Sequence, residues 1–212
     1  MNRKMRAALA VAATIGLATP AAALQPAAAQ EKVGDRSLVK VLQADGNRFD
    51  RNWEDFDVLH RAVTTVLAAK PRSSVGVLAD GDRALTAFLP TDRAFRDLVF
   101  QMTGQRPPGE RVTFSRLAST AGVDMVEAVL LYHVVPGATV TYRQARQAGG
   151  AKLTTAAGSN LTVRALGDRV WLRDADTDDR NARVLRRLRN INQGNAQIAH
   201  GVDRVLRPLN LP

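Results

Sequence analysis

The stretch ALTAFLPTDRAF, residues 84–95, places an apolar strand, a proline stop and a helix start in succession. Leu85 to Leu89 reads as a strand. Pro90 has no N–H for a sheet ladder and ends it. Thr91 then caps a helix whose first N–H groups its hydroxyl can satisfy, and Asp92 in the first turn complements the helix dipole. Pro90 and Phe95 occupy staple positions on either side of that cap. Ala94, Phe95, Leu98, Val99 and Met102 form the apolar face, and Gly104 ends the helix. The stretch holds no histidine, cysteine or glycine loop, so it reads as architecture.

Outward from this corner, Ser37 caps a short helix with Leu38, Val39, Val41 and Leu42 on one face. A second helix follows Asp57 and carries Leu59, Ala62, Val63, Val66 and Leu67 at helical spacing until Pro71. Val75 to Leu78 is expected as a strand, Asp80-Gly81-Asp82 as a turn, and Leu85 to Leu89 as the returning strand. Phe114 to Ala118 is expected as a short helix, Val123 to Tyr132 as a longer one, and Tyr142 to Gln147 as another short one. From Ala151 the period becomes two. Leu161, Val163 and Ala165 alternate with polar neighbours, Gly167-Asp168 makes a hairpin turn, and Val170 and Leu172 resume the alternation. A closing strand runs through Ile198, His200 and Val202 to Leu206. Helices first and hairpins afterwards argue for an α+β fold.

The 212 residues suffice for one domain of ordinary size behind a targeting segment. Arg3, Lys4 and Arg6 precede an uncharged, alanine-rich run; Ala27 and Ala29 offer a cleavage site before Gln30, and Ala21 with Ala23 offers a second; residues 1–29 read as a secretory signal peptide. Residues 30–36 are a polar lead-in. No later stretch is apolar enough to cross a bilayer. The chain has no cysteine, so packing alone must hold its core and no lipid-modifiable thiol is present. Arginine outnumbers lysine heavily, which with the alanine excess suggests a GC-rich bacterial coding bias. Without the three basic residues of the leader, 27 basic residues face 20 acidic ones, a mature charge of +7. That charge suits anionic wall polymers or lipid head groups, and equally a solvated surface.

Three ordered segments together resemble the fasciclin domain. Thr86, Phe88, Pro90, Thr91, Asp92, Ala94 and Phe95 match its strand-to-helix signature. LLYHVVPG, residues 130–137, matches its tyrosine–histidine segment. His200, Val202, Asp203, Val205, Leu206 and Pro208 match its closing segment. The resemblance covers residues 37–210 as a single domain, and implies a β-sandwich or wedge of strands packed with several helices. It departs in NAQIAHGVD, where Ala196 replaces a glycine and one extra residue precedes His200, and in residues 47–83, which are longer than usual. The NWEDFD portion of that stretch looks like an elaboration of bacterial members. Fasciclin-type proteins are mostly secreted or surface-attached and act in adhesion, matrix assembly or cell-wall association. The resemblance therefore implies a non-enzymatic exported module whose partner is a surface or matrix protein or an anionic wall polymer. It also implies that Tyr132 and His133 lie in a region used for contacts. Physically, both can instead brace the turn.

Catalytic and ligand chemistry is weakly signalled. There is no G-x-S-x-G elbow, P-loop or dinucleotide fingerprint. His60, His133 and His200 lack ligand-like spacing, and His133 and His200 read as buried or half-buried histidines with hydrogen-bond partners. Asp174, Asp176, Asp178 and Asp179 begin like a calcium loop, but the sixth position is Asp179 where glycine is needed. The twelfth is Leu185 where glutamate is needed, so the reading is a solvated loop. No cofactor or metal is expected. Arg180, Arg183, Arg186, Arg187 and Arg189 form the densest basic run. Without interleaved aromatics it does not point to nucleic acid, and it suits an anionic polymer, a partner protein or a solvated rim. The alternatives to an adhesion module are a carrier holding a small apolar ligand, which an enclosed apolar pocket would favour, and a hydrolase.

Overall fold

The computed structural model describes residues 33–44, 46 and 48–209. The expected signal peptide and most of the polar lead-in lie outside the described residues.

The elements are α1 (Leu38–Gln43), α2 (Asp57–Ala69), β1 (Leu85–Pro90), α3 (Asp92–Thr103), α4 (Glu110–Tyr132), β2 (Val134–Pro136), α5 (Tyr142–Gln147), β3 (Lys152–Thr154), β4 (Asn160–Leu166), β5 (Arg169–Arg173), β6 (Ala182–Arg183) and β7 (Gln197–Val202). They form a mixed α+β fold. One sheet has the order β2-β1-β7, with β1 antiparallel to β2 and parallel to β7. The other is the antiparallel meander β3-β4-β5-β6.

All six residues of β1 are buried, because the three-stranded sheet is covered on both faces. Leu85, Ala87 and Leu89 join the helical core of α1 to α4, with Leu38, Val63, Phe95 and Leu130. Phe88 points the other way, into a second core with Leu161, Val163, Val170 and Leu172 of the meander. The alternation expected in β4 and β5 thus marks the inner face of that meander. Its outer face carries Arg164, Trp171 and Arg173.

The opening corner forms as its residues dictate. The Thr91 side chain accepts a hydrogen bond from the Ala94 N–H, and α3 ends at Gly104 with φ +68. Ser37 caps α1 by accepting from the Lys40 N–H. Thr141 and Gln144 form a reciprocal capping box on α5.

Two expectations are corrected. Val75 to Leu78 is not a strand but lies within a 3-10 helix, Ser74–Ala79, whose start is capped by the Ser73 hydroxyl. Leu85 to Leu89 is accordingly no hairpin return: β2 and β7 occupy both edges of β1, leaving no place for that partner. The two helices expected at Phe114 and from Val123 both form within Glu110–Tyr132, the first starting earlier than expected, at Glu110, and a kink at Gly122 separates them. Gly122 lies at φ +74, ψ +168, a left-handed conformation that glycine adopts without a Cβ penalty.

Candidate functional site

Tyr132 and His133 sit at the end of α4, and both are buried, at 0% and 3% exposure. The Tyr132 hydroxyl donates to the Asn160 carbonyl at 3.1 Å, tying α4 to the start of β4. Burial, with the Asp174 charge, pushes its phenol up to about 12. His133 Nδ1 lies 2.7 Å from the Val129 carbonyl, and Nε2 accepts from the Leu206 N–H at 2.8 Å. Those contacts fix a neutral tautomer, with the proton on Nδ1. Burial holds the imidazole down at about 4. His200 is arranged alike: Nδ1 accepts from the Asn190 N–H and Nε2 donates to the Val140 carbonyl. Both rings spend both nitrogens on backbone. The accessible part of this segment is its exit, where Pro136, Gly137 and Ala138 are exposed. The Thr86 hydroxyl secures that corner, donating to the Ala138 carbonyl and accepting from the Val140 N–H.

The meander's outer face is a second surface. Strand register sets Arg164 opposite Trp171 and Trp171 opposite Arg183, a row across β4, β5 and β6. The row lines an open groove of about 1470 Å³ with six arginines, four aspartates and backbone glycines. Among the described residues, Arg164 and Arg173 have no carboxylate within ion-pair distance. The arginine run read from the sequence is split. Arg180 and Arg183 line this groove, while Arg186 pairs with Asp168 and Arg187 with Glu54. Arg189 lies over the Tyr142 ring at 5.3 Å.

The acidic loop is not merely solvated, which corrects the sequence reading. Asp176 is buried at 3% and paired with Arg207 at 2.8 Å, and Asp179 pairs with Arg204 at 2.7 Å. The Asp174 carboxyl accepts from the Arg207 N–H, and burial, reinforced by the Asp176 charge, raises it to about 6. The signal for this was the arginines within the closing segment, Arg204 and Arg207, rather than the loop itself.

Two further features have no local sequence signature. Asp57, Asp92 and Glu110 are the first residues of α2, α3 and α4, and their carboxylate oxygens lie within 4.8 Å of one another, all buried. Burial raises the Asp92 carboxyl to about 9, and the Asp55 and Glu110 charges add to that, against the Val58 N–H bond that lowers it. Separately, Phe95, Leu98, Met102, Leu117, Met125 and Val126 line an apolar cavity of about 180 Å³ between α3 and α4.

The family model described as Fasciclin domain matches residues 60–208. The chain belongs to the fasciclin domain family. A solved FAS1 domain pair from the insect cell adhesion molecule Fasciclin I shares the fold, with a TM-score of 0.54 at 15% identity. The match covers 81% of this chain and 50% of the insect one, so the present chain spans about half the length of that pair. No curated protein matches.

Fasciclin domains occur in adhesion proteins and in extracellular or secreted proteins, and are generally non-enzymatic. Among the described residues no helix is long and apolar enough to cross a membrane. The three fasciclin signatures meet in space. Phe88 of the first donates its N–H to the His133 carbonyl of the second, and pairs with His200 of the third. Just before the departing segment NAQIAHGVD, residues 195–203, the backbone is left-handed at Asn190, Asn192 and Gly194. Asn190 Oδ1 in turn accepts from the Tyr142 N–H.

Proposed function

We propose that this fasciclin domain is an exported, non-enzymatic module for adhesion or cell-wall association, with the arginine–tryptophan face of the meander as its contact surface. The observation that carries the reading is the row Arg164–Trp171–Arg183, with Arg164 and Arg173 lacking carboxylate partners among the described residues. Guanidinium groups on a groove floor with a half-buried indole suit an anionic polymer or the acidic patch of a surface protein. His133 and His200, with both ring nitrogens held by backbone, support a non-catalytic reading, since a general base needs a ring nitrogen that can reach a substrate proton. Tyr132 and His133 enter as positioning residues for the exposed Pro136–Ala138 corner, through which that segment would meet a partner.

Co-sedimentation of the full chain with purified anionic wall polymer tests the surface. Binding is expected at low salt, reduced by Arg164→Glu with Arg173→Glu and weakened as salt rises. Binding that ignores both changes removes the face from consideration. A pull-down from cell-surface extract then identifies any protein partner.

The apolar cavity favours one second reading, a carrier for a small apolar ligand. Its volume of about 180 Å³ is of the order that holds a benzene-sized molecule, roughly 150 Å³. Thermal shifts with small aromatic hydrocarbons test it, and Met102→Trp, which fills the cavity, is expected to abolish any shift.

A further inference from the structure

The acids that open α2, α3 and α4 converge without a shared sequence motif. One oxygen of each of two carboxylates is fixed by backbone: Asp92 Oδ1 accepts from the Val58 N–H at 3.0 Å, and Glu110 Oε2 from the Arg51 N–H at 3.1 Å. With these acids ionised, the second oxygens, Asp92 Oδ2 and Glu110 Oε1, are sealed from solvent and have no hydrogen-bond partner. Their residues are 0% and 2% exposed. Among the described residues neither acid has a lysine or arginine within ion-pair distance.

Magnitudes decide what such a site demands. Three helix N-termini supply about half a positive charge each, roughly 1.5 in total. Three carboxylates carry twice that in negative charge. Burying the remainder uncompensated is costly, so the cluster calls for an added positive charge, supplied either by a proton that Asp92 shares with Asp55 or by a bound cation. Oxygens bound to one calcium ion lie about 2.3–2.6 Å from it, hence no more than about 5 Å from each other. The 4.8 Å limit on the separations here satisfies that condition. Asp50 and Asp55 form a second triad with Asp57 under the same limit, and Asp50 is exposed, giving an approach from solvent. The donor set is all carboxylate, which suits hard cations and not zinc or copper.

We infer that Asp57, Asp92 and Glu110, joined by Asp50 and Asp55, form a calcium-type divalent cation site that ties the residue 50–57 loop to the N-termini of α3 and α4. The site uses the NWEDFD elaboration together with the acid of the strand-to-helix signature, and it stands apart from the arginine face.

The test uses the full chain, stripped with chelator and held at constant pH. Calorimetric titration with calcium chloride is expected to show one ion per chain, and the melting temperature is expected to rise with calcium by mass action. Asp92→Asn and Glu110→Gln, alone and together, are expected to weaken binding at least tenfold, whereas the exposed-site variant Asp124→Asn keeps it. Terbium gives an independent readout, because Trp53 lies two residues from Asp55. Its tryptophan-sensitised emission is expected in the wild type and lost in Asp92→Asn. Trp53→Phe loses emission while retaining the calcium heat. Failure of calcium, magnesium and manganese all to bind means the carboxyls hold protons only, and overturns the inference. Calcium heat or terbium emission that survives the Asp92→Asn/Glu110→Gln pair places the ion elsewhere and overturns it equally.

Discussion

The imidazole Nε2 of His133 accepts a hydrogen bond from the backbone N–H of Leu206 at 2.8 Å. This joins the tyrosine–histidine segment to the closing segment, through a ring whose other nitrogen donates to Val129 in the preceding turn of α4. A protonated ring would set an N–H against an N–H at Leu206. The neutral form is therefore part of the fold.

A pH dependence follows. The folded pKa, about 4, lies below the ordinary 6.5. Between those values the unfolded chain binds a proton that the folded chain refuses, so the contribution is intact above pH 6.5 and falls as the pH drops towards 4. The loss amounts to about 3 kcal/mol at roughly 1.4 kcal/mol per unit. The raised carboxyls of Asp92 and Asp174 act in the opposite sense, so the measurement must be a difference. The stability gap between wild type and His133→Gln, from urea midpoints, is expected to shrink by about 3 kcal/mol from pH 7 to pH 4. A gap independent of pH would show that the ring titrates normally.

At the neighbouring position, Tyr132→Phe removes only the hydroxyl that meets the Asn160 carbonyl. The expected cost is about 1 kcal/mol in denaturant midpoint. The chain has two tyrosines. In a spectrophotometric titration of the native protein, the Tyr132 phenol is expected to resist ionisation until about pH 12, and its signal to vanish in the variant.

The opening corner separates cap from core. Thr91→Ala loses the bond to the Ala94 N–H and is expected to cost about 1 kcal/mol. Phe95 is 2% exposed within the helical core, and Phe95→Ala is expected to cost about 3–5 kcal/mol. Equal and negligible shifts in the two variants would contradict the helix start described here.

What the sequence made legible was local chemistry. Ser37, Thr91 and Gly104 announce helix ends by side-chain hydrogen bonding or left-handed backbone, and Gly167-Asp168 announces a hairpin. Those signals act over three or four residues and survive in the structure. The apolar run Val75–Leu78 carries no period that tells a strand from a 3-10 turn, and only the occupied edges of β1 decide it. The parallel pairing of Phe88 with His200 depends on chain closure over a long separation. No window of sequence contains it. Candidate surfaces suffered in the same way. Arg164 and Arg173 sit at alternating polar positions that look like ordinary solvated strand residues until register sets Arg164 beside Trp171. Asp57, Asp92 and Glu110 each look like a dipole-complementing first-turn acid, and only the packing of three helices brings them together.

The ion pair between Arg207 and Asp176 is the most deeply buried in the described residues, with side chains 7% and 1% exposed. Arg207 also contacts Gln101 of α3, so the pair fastens the acidic loop and the chain's closing segment to the helical layer. Asp176 further accepts from the Asp178 and Asp179 N–H groups, which hold its carboxylate in place whether or not the arginine is present. Arg207→Met therefore strands a desolvated anion and is expected to cost about 3–5 kcal/mol. Asp176→Asn in the same background removes the stranded charge while keeping an oxygen for the two loop N–H groups. The double variant is expected to recover much of the loss. Thermal denaturation of the wild type, both single variants and the double variant gives the coupling energy. A double variant no more stable than Arg207→Met alone would mean that Arg207 acts through packing against Gln101, and that the charge pair contributes little.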